Sequence, residues 1–136
     1  MTRRSAAGAS LALVLLLAGC KSPLAPVALD EAFVLAPGER VFVEAANFRI
    51  EFFEVTADSR CPLDAICVWA GDATVHVGLG VVGSTDRAEL HTGDPARATL
   101  THRGFIIHLV DLQPYPASTR PIAPAEYRAT LRVTRD

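Results

Sequence analysis

Asp58-Ser59-Arg60-Cys61-Pro62-Leu63-Asp64-Ala65-Ile66-Cys67-Val68-Trp69-Ala70-Gly71 holds two of the three cysteines in the chain and its only tryptophan. Apolar runs flank it on both sides. In the run before it, Phe48, Ile50 and Phe52 fall on one face and Arg49 and Glu51 on the other, the period of a strand buried on one side. The alternation slips at Phe53, so that Phe53 and Val55 join the face of Arg49. One extra residue, a β-bulge near Phe52–Phe53, accounts for the slip and would re-aim the strand just before the cysteines. The stretch reads as a small loop, closed by a disulfide between Cys61 and Cys67, that joins two strands with Trp69 packed beside it.

Outward from the loop the chain keeps to short β patterns. Phe33-Val34-Leu35, the turn signal Pro37-Gly38 and Arg40 to Glu44 form a hairpin or a change of sheet. After the loop, Val68 begins a long strand that is interrupted at Ala70–Asp72 and resumes through Thr74 to Leu79. Ala88–His91 and Ala98–Thr101 are weaker strands. Phe105 to Leu112 is apolar on both faces and therefore central. Gln113 to Ala125 carries Pro114, Pro116, Pro121 and Pro124, a stiff connection poor in sheet hydrogen bonds. Tyr127, Ala129, Leu131 and Val133 then alternate with Arg128, Thr130 and Arg132. No segment after the N-terminus sustains a 3.6-residue period. Seven to nine short strands separated by turn signals predict an all-β fold, a single antiparallel β-sandwich (Ig-like or similar) over residues 30–136.

The N-terminus differs in kind. Thr2-Arg3-Arg4 is basic, and Leu11 to Leu17 is an apolar run shorter than the roughly 20 residues a membrane span needs. Leu17-Ala18-Gly19-Cys20 follows. This order resembles the signal peptide and lipobox of bacterial lipoproteins. The resemblance implies removal of residues 1–19, lipidation of Cys20 as the new N-terminus, and a Pro-rich tether over residues 20–29. It places the chain at a bacterial cell envelope, on the inner or outer membrane, with the membrane itself as partner through the anchor. Several acyl chains, at about 0.8 kcal/mol per buried CH₂, make such anchoring effectively permanent.

Composition narrows the remaining classes. Half of the 136 residues are hydrophobic and 21% are charged, a globular balance. The formal net charge is −2, and Lys21 is the only lysine. Scattered arginines do not make the clustered basic surface that nucleic acid requires. With Cys20 lipidated, Cys61 and Cys67 remain as a pair in an oxidising compartment; reduced thiols or metal ligands are the alternatives, and no His or Cys partner at metal-site spacing sits near them.

Catalytic constellations are missing from the linear pattern. Ser59, Ser84 and Ser118 sit in no nucleophile elbow, and the chain has no phosphate loop or dinucleotide fingerprint. The acids Asp58, Asp64 and Asp72 cluster at the loop. They read as turn-capping residues or, for Asp58, a partner of Arg60, ahead of a carboxylate pair or a Ca²⁺ site. His76 and His108 lie within strands and could meet across a sheet as a weak metal site. No cofactor is expected.

The motif Asp58-Ser-Arg-Cys-Pro-x4-Cys67-Val-Trp-Ala-Gly71, with the closing strand Tyr127-x-Ala-x-Leu-x-Val133, resembles a recurrent pattern in small bacterial lipoproteins and secreted proteins. The resemblance implies a whole-domain family built on a disulfide loop and carries no catalytic residue. The expected function is a lipid-anchored binding or structural module without catalysis. The second reading is an interaction or inhibitor-like loop built on Arg60, Leu63, Asp64, Ile66 and Trp69, directed at an envelope protein or glycan. The third is a metal-binding envelope protein.

Overall fold

The computed structural model describes residues 25–81 and 83–136; the expected signal segment, Cys20 and the start of the tether lie outside them. Eight strands follow in order: β1 (Ala32–Leu35), β2 (Arg40–Val43), β3 (Phe48–Thr56), β4 (Thr74–Val81), β5 (Ser84–His91), β6 (Thr99–His102), β7 (Phe105–Gln113) and β8 (Arg128–Arg135). They form two four-stranded antiparallel sheets, one ordered β2-β3-β4-β5 and the other β1-β8-β7-β6. The predicted all-β sandwich is the architecture found. Pro37-Gly38 marks a change of sheet, because β1 and β2 belong to different ones.

Alternation explains the core. Phe48, Ile50 and Phe52 of β3 and Val75, Val77 and Leu79 of β4 meet Ile107, Leu109, Leu112, Ala129, Leu131 and Val133 of the facing sheet, all buried. The outward partners Arg49, Arg128 and Arg132 are exposed. β7 lies between β6 and β8, as its two-faced apolar pattern predicts.

The expected bulge is present. The β3–β4 register passes from Phe52↔Val77 to Glu54↔His76 and leaves Phe53 unpaired. Phe53 is thereby turned to the outer face, where its ring lies against Gly78 and beneath the Arg87 guanidinium, 4.5 Å from the ring centre. A Cβ at residue 78 would sit 2.7 Å from that ring, so glycine is what lets the ring lie flat on the sheet. A second bulge, at Val110, interrupts the β7–β8 register between Leu109 and Asp111. Neither strand could keep its inward set while turning at its end without an extra residue.

The two ends of the sandwich differ. At one end, Val27 pairs with Val43, the β2–β3 connection turns through residues 44–47, and Asp136 bonds to Gly104. The chain enters and leaves there. At the other end lie residues 57–73, residues 92–98 and the proline-rich connection 114–127. The expected strand from Val68 does not form. Regular pairing with β3 begins only at Thr74↔Thr56, because Gly71 takes a left-handed conformation (φ +72°) that breaks extended backbone just before it.

Candidate binding site at the cysteine loop

Beyond Thr56 and Thr74 the β3–β4 pair continues as a narrow ribbon. Ser59 N donates to Asp72 O (2.7 Å), and Cys61 N donates to Ala70 O (2.9 Å). The Cys61–Cys67 disulfide then closes the tip, with Cα atoms 5.9 Å apart. Gly71 serves the ribbon twice. It adopts the positive φ, and a Cβ there would lie 1.8 Å from Ser59 O.

Arg60 turns inward and is 8% exposed. Its Nε and Nη2 donate to the two carboxylate oxygens of Asp58 (2.9 and 2.7 Å). Nη1 donates to Leu112 O (2.6 Å), and Nη2 also reaches Pro114 O (2.9 Å). The Tyr115 ring stacks on the guanidinium at 5.3 Å. Asp58 also accepts from Arg60 N (3.2 Å) and from the Tyr127 hydroxyl (2.9 Å). Burial alone would raise the Asp58 carboxyl, but the Arg60 and Tyr127 hydrogen bonds outweigh it and hold the group below its usual range. On the phenol both effects run the same way: burial, then the Asp58 carboxylate, push Tyr127 up to about 12.

The tip is held from the side as well. Leu63 N donates to Pro116 O (3.0 Å). Ser118 donates to Asp64 through its amide (2.8 Å) and its hydroxyl, and these bonds lower the Asp64 carboxyl. Asp72 ties the base of the ribbon to the β5–β6 connection. It accepts from His91 Nδ1 (2.6 Å), Gly93 N (2.7 Å) and the Thr92 hydroxyl (3.3 Å). His91 Nε2 faces Arg97 Nη2. Arginine can only donate, so Nε2 accepts and Nδ1 carries the proton that goes to Asp72. Burial would raise Asp72; the His91 bond, with Gly93 and Thr92, lowers it below the usual range.

With its backbone fixed, the loop presents apolar side chains to solvent. Leu63 is 77% exposed, Trp69 82% and Val68 89%, and Ile66 is fully exposed. Among the described residues, all the exposed large apolar side chains except Val34 and Val81 lie at this end, including Val110 and Tyr115. Beside the loop opens a cavity of about 300 Å³, floored by Arg60, His91 and Leu112 and rimmed by Ala70, Val110 and Tyr115.

Several sequence expectations change. Trp69 does not cover the disulfide. Arg60, with Tyr115 and Tyr127 against it or its partner Asp58, occupies the space below the loop, so the indole finds no apolar seat there. Arg60 is no surface contact, because Asp58 and two carbonyls offer it acceptors inside. Leu63, Ile66 and Trp69 do share the outer face of the loop, and Asp64 stands at its side. His76 and His108 do not meet: they lie in different sheets, bonded to the Thr56 and Thr134 hydroxyls (2.8 and 2.9 Å). Among the described residues, no group of three or more His, Cys, Asp and Glu side chains is arranged to hold a metal. Asp58, Asp64 and Asp72 each face separate partners and form no carboxylate pair. The Asp72–His91–Arg97 chain was not anticipated. Its signal lay in the β4–β5 hairpin, which sets Thr74 opposite His91 and so brings Asp72 alongside.

Two outcomes are expected. Asp58 has a folded value below its unfolded one. Its stabilisation is therefore complete above pH ~4, the ordinary carboxylate value, and is lost as pH falls through the lowered value. Asp58→Asn should cost about 2 kcal/mol near pH 7, and the deficit should shrink below pH 4 when urea midpoints are compared across pH; a deficit constant down to pH 2.5 would refute the assignment. Replacing both Cys61 and Cys67 by Ala should cost about 2 kcal/mol, the chain-entropy value for so small a ring, with the fold retained by circular dichroism because the ribbon hydrogen bonds remain.

No family model, no curated protein and no solved structure matches this chain.

Proposed function

We propose that this protein is a lipid-anchored, non-catalytic module of a bacterial cell envelope that binds another protein through its Cys61–Cys67 loop. One observation carries the proposal: Leu63, Ile66, Val68 and Trp69 stand in solvent on a backbone held by a disulfide, two ribbon hydrogen bonds and the Pro116 and Ser118 contacts. Contiguous exposed apolar surface on a soluble domain marks an interaction site. A loop already ordered before binding loses little conformational entropy on association, and tryptophan is the side chain most enriched among binding hot spots. Every acid near the loop is committed to an internal partner, which favours recognition over acid–base chemistry. The envelope location rests on the lipobox, and the disulfide is compatible with an oxidising compartment.

The test uses the full chain in its host cells. A photo-crosslinking phenylalanine analogue at Ile66 should give a discrete heavier adduct on irradiation. The same analogue at Val34, exposed on the opposite sheet, should not. Adding Leu63→Ser and Trp69→Ser should abolish the Ile66 adduct. The same adducts from both positions, or none from Ile66, would overturn the proposal. In the same cells Cys20→Ala should move the protein from the membrane to the soluble fraction or block its maturation; unchanged membrane attachment would remove the anchor.

A further inference from the structure

Resting on the loop as a binding surface, we infer that the cavity beside it is a pocket for one apolar side chain of a polypeptide partner, presented from the side away from the chain's own membrane anchor.

The first ground is the state of the polar groups in the cavity. Arg60 is committed to Asp58, Leu112 O and Pro114 O. Both ring nitrogens of His91 are engaged, by Asp72 and Arg97. The Thr92 hydroxyl bonds Asp72 and accepts from Ala73 N. Asp111 accepts from Gln113 and from the Tyr115 hydroxyl. A charged or strongly hydrogen-bonding ligand would find these side chains occupied and would lose its own hydration on entry. The larger part of the surface left for contact is apolar, supplied by Ala70, Ala98, Leu109, Val110 and the Tyr115 ring. About 300 Å³ is at the small end of ligand pockets and has room for one large side chain. The bulge at Val110 turns that residue out to the rim, 52% exposed. Ridge and hole thus adjoin, the loop supplying the ridge.

The second ground is direction. Val27 pairs with Val43 beside Phe48, at the start of β3. The loop leaves β3 after Thr56, and those nine residues span about 26 Å. A chain cleaved before Cys20 keeps only residues 20–24 ahead of the described part, a reach of about 17 Å fully extended. It cannot fold back into the cavity, and with the domain upright on that tether the loop points away from its own bilayer. A tip-to-tip pair of two copies would place their anchors at opposite ends, against one membrane. Among the described residues at this end, Arg60, Arg97, Arg120 and Arg128 each donate to internal partners, which leaves little cationic surface for an anionic bilayer. A different polypeptide is the occupant that satisfies both grounds.

The test compares Val110→Arg with the parent in the Ile66 crosslinking experiment. The adduct should fall at least tenfold with Val110→Arg and by a smaller factor with Val110→Ser, while the melting temperature of each variant stays within a few degrees of the parent. An undiminished adduct in a folded Val110→Arg protein would overturn the pocket and leave the loop surface standing; loss of the adduct in the parent itself would instead remove the loop reading. A displayed library of random twelve-residue peptides, panned on the full chain, should enrich sequences that share a Leu, Phe or Trp position and fail to bind Val110→Arg; enrichment of peptides indifferent to that change overturns the inference. With the lipidated chain in phosphatidylethanolamine–phosphatidylglycerol vesicles carrying brominated acyl chains, emission from Trp69, the only tryptophan, should be unquenched. Quenching would make the bilayer the occupant.

Discussion

Arg60 enters the end of the sandwich from a loop and joins three segments there. Its guanidinium binds Asp58 on the outgoing limb of the ribbon and the carbonyls of Leu112 and Pro114 where β7 gives way to the proline-rich connection. Tyr127, at the start of β8, closes on the same carboxylate. Removing one partner of a buried ion pair strands the other charge and commonly costs several kcal/mol. The cysteine loop is therefore not an appendage. Its base belongs to the core at that end of the sandwich, and the positions of Pro116, Ser118 and the cavity floor follow from that attachment.

This attachment explains how a small domain can keep four large apolar side chains in water. On a flexible loop such residues would collapse onto the body or onto one another, because each buried apolar side chain gains about 1.5–3 kcal/mol. Here the space inside the loop is filled by a cation and its acceptors, and the backbone cannot turn to bury the rest. Polar groups hold the interior of the loop while apolar groups occupy its surface. That inversion of the usual arrangement is stable only when every polar group inside has a partner, as Asp58 and Arg60 do.

Strand identities were legible because period-two alternation reports directly on a face. Phe48–Phe52 and Tyr127–Val133 needed no other information, and the slip placed the bulge near Phe52–Phe53, where it is found. The loop was legible as a disulfide ring but not as a surface. Trp69 beside two cysteines, Ile66 and Val68 reads first as a core cover, and what overturns that reading is the occupancy of the space beneath. That occupancy depends on Leu112 and Pro114, more than fifty residues from Arg60 in sequence. The Asp72–His91 contact is hidden for the same reason: hairpin register, not spacing, creates it. Val110 was read as one more apolar residue of a central strand. Only its pairing with β8 reveals it as the extra residue of a bulge, turned out to the cavity rim.

The ribbon and the disulfide divide the work of holding the loop. Ser59–Asp72 and Cys61–Ala70 hydrogen bonds fix the base, and Gly71 permits the close crossing that both require. Without the disulfide the base would persist, since its donors and acceptors lie outside the ring. The tip would not be equally fixed: between Cys61 and Cys67 only the Leu63 amide and the Asp64 carboxylate bond outside it. Ile66, Val68 and Trp69 lie on the limb that has no such contacts. The disulfide therefore adds to stability through the ring it closes and, beyond that, fixes the presentation of these three side chains. A cross-link placed where the exposed apolar surface is most concentrated keeps that surface in one arrangement before any partner arrives.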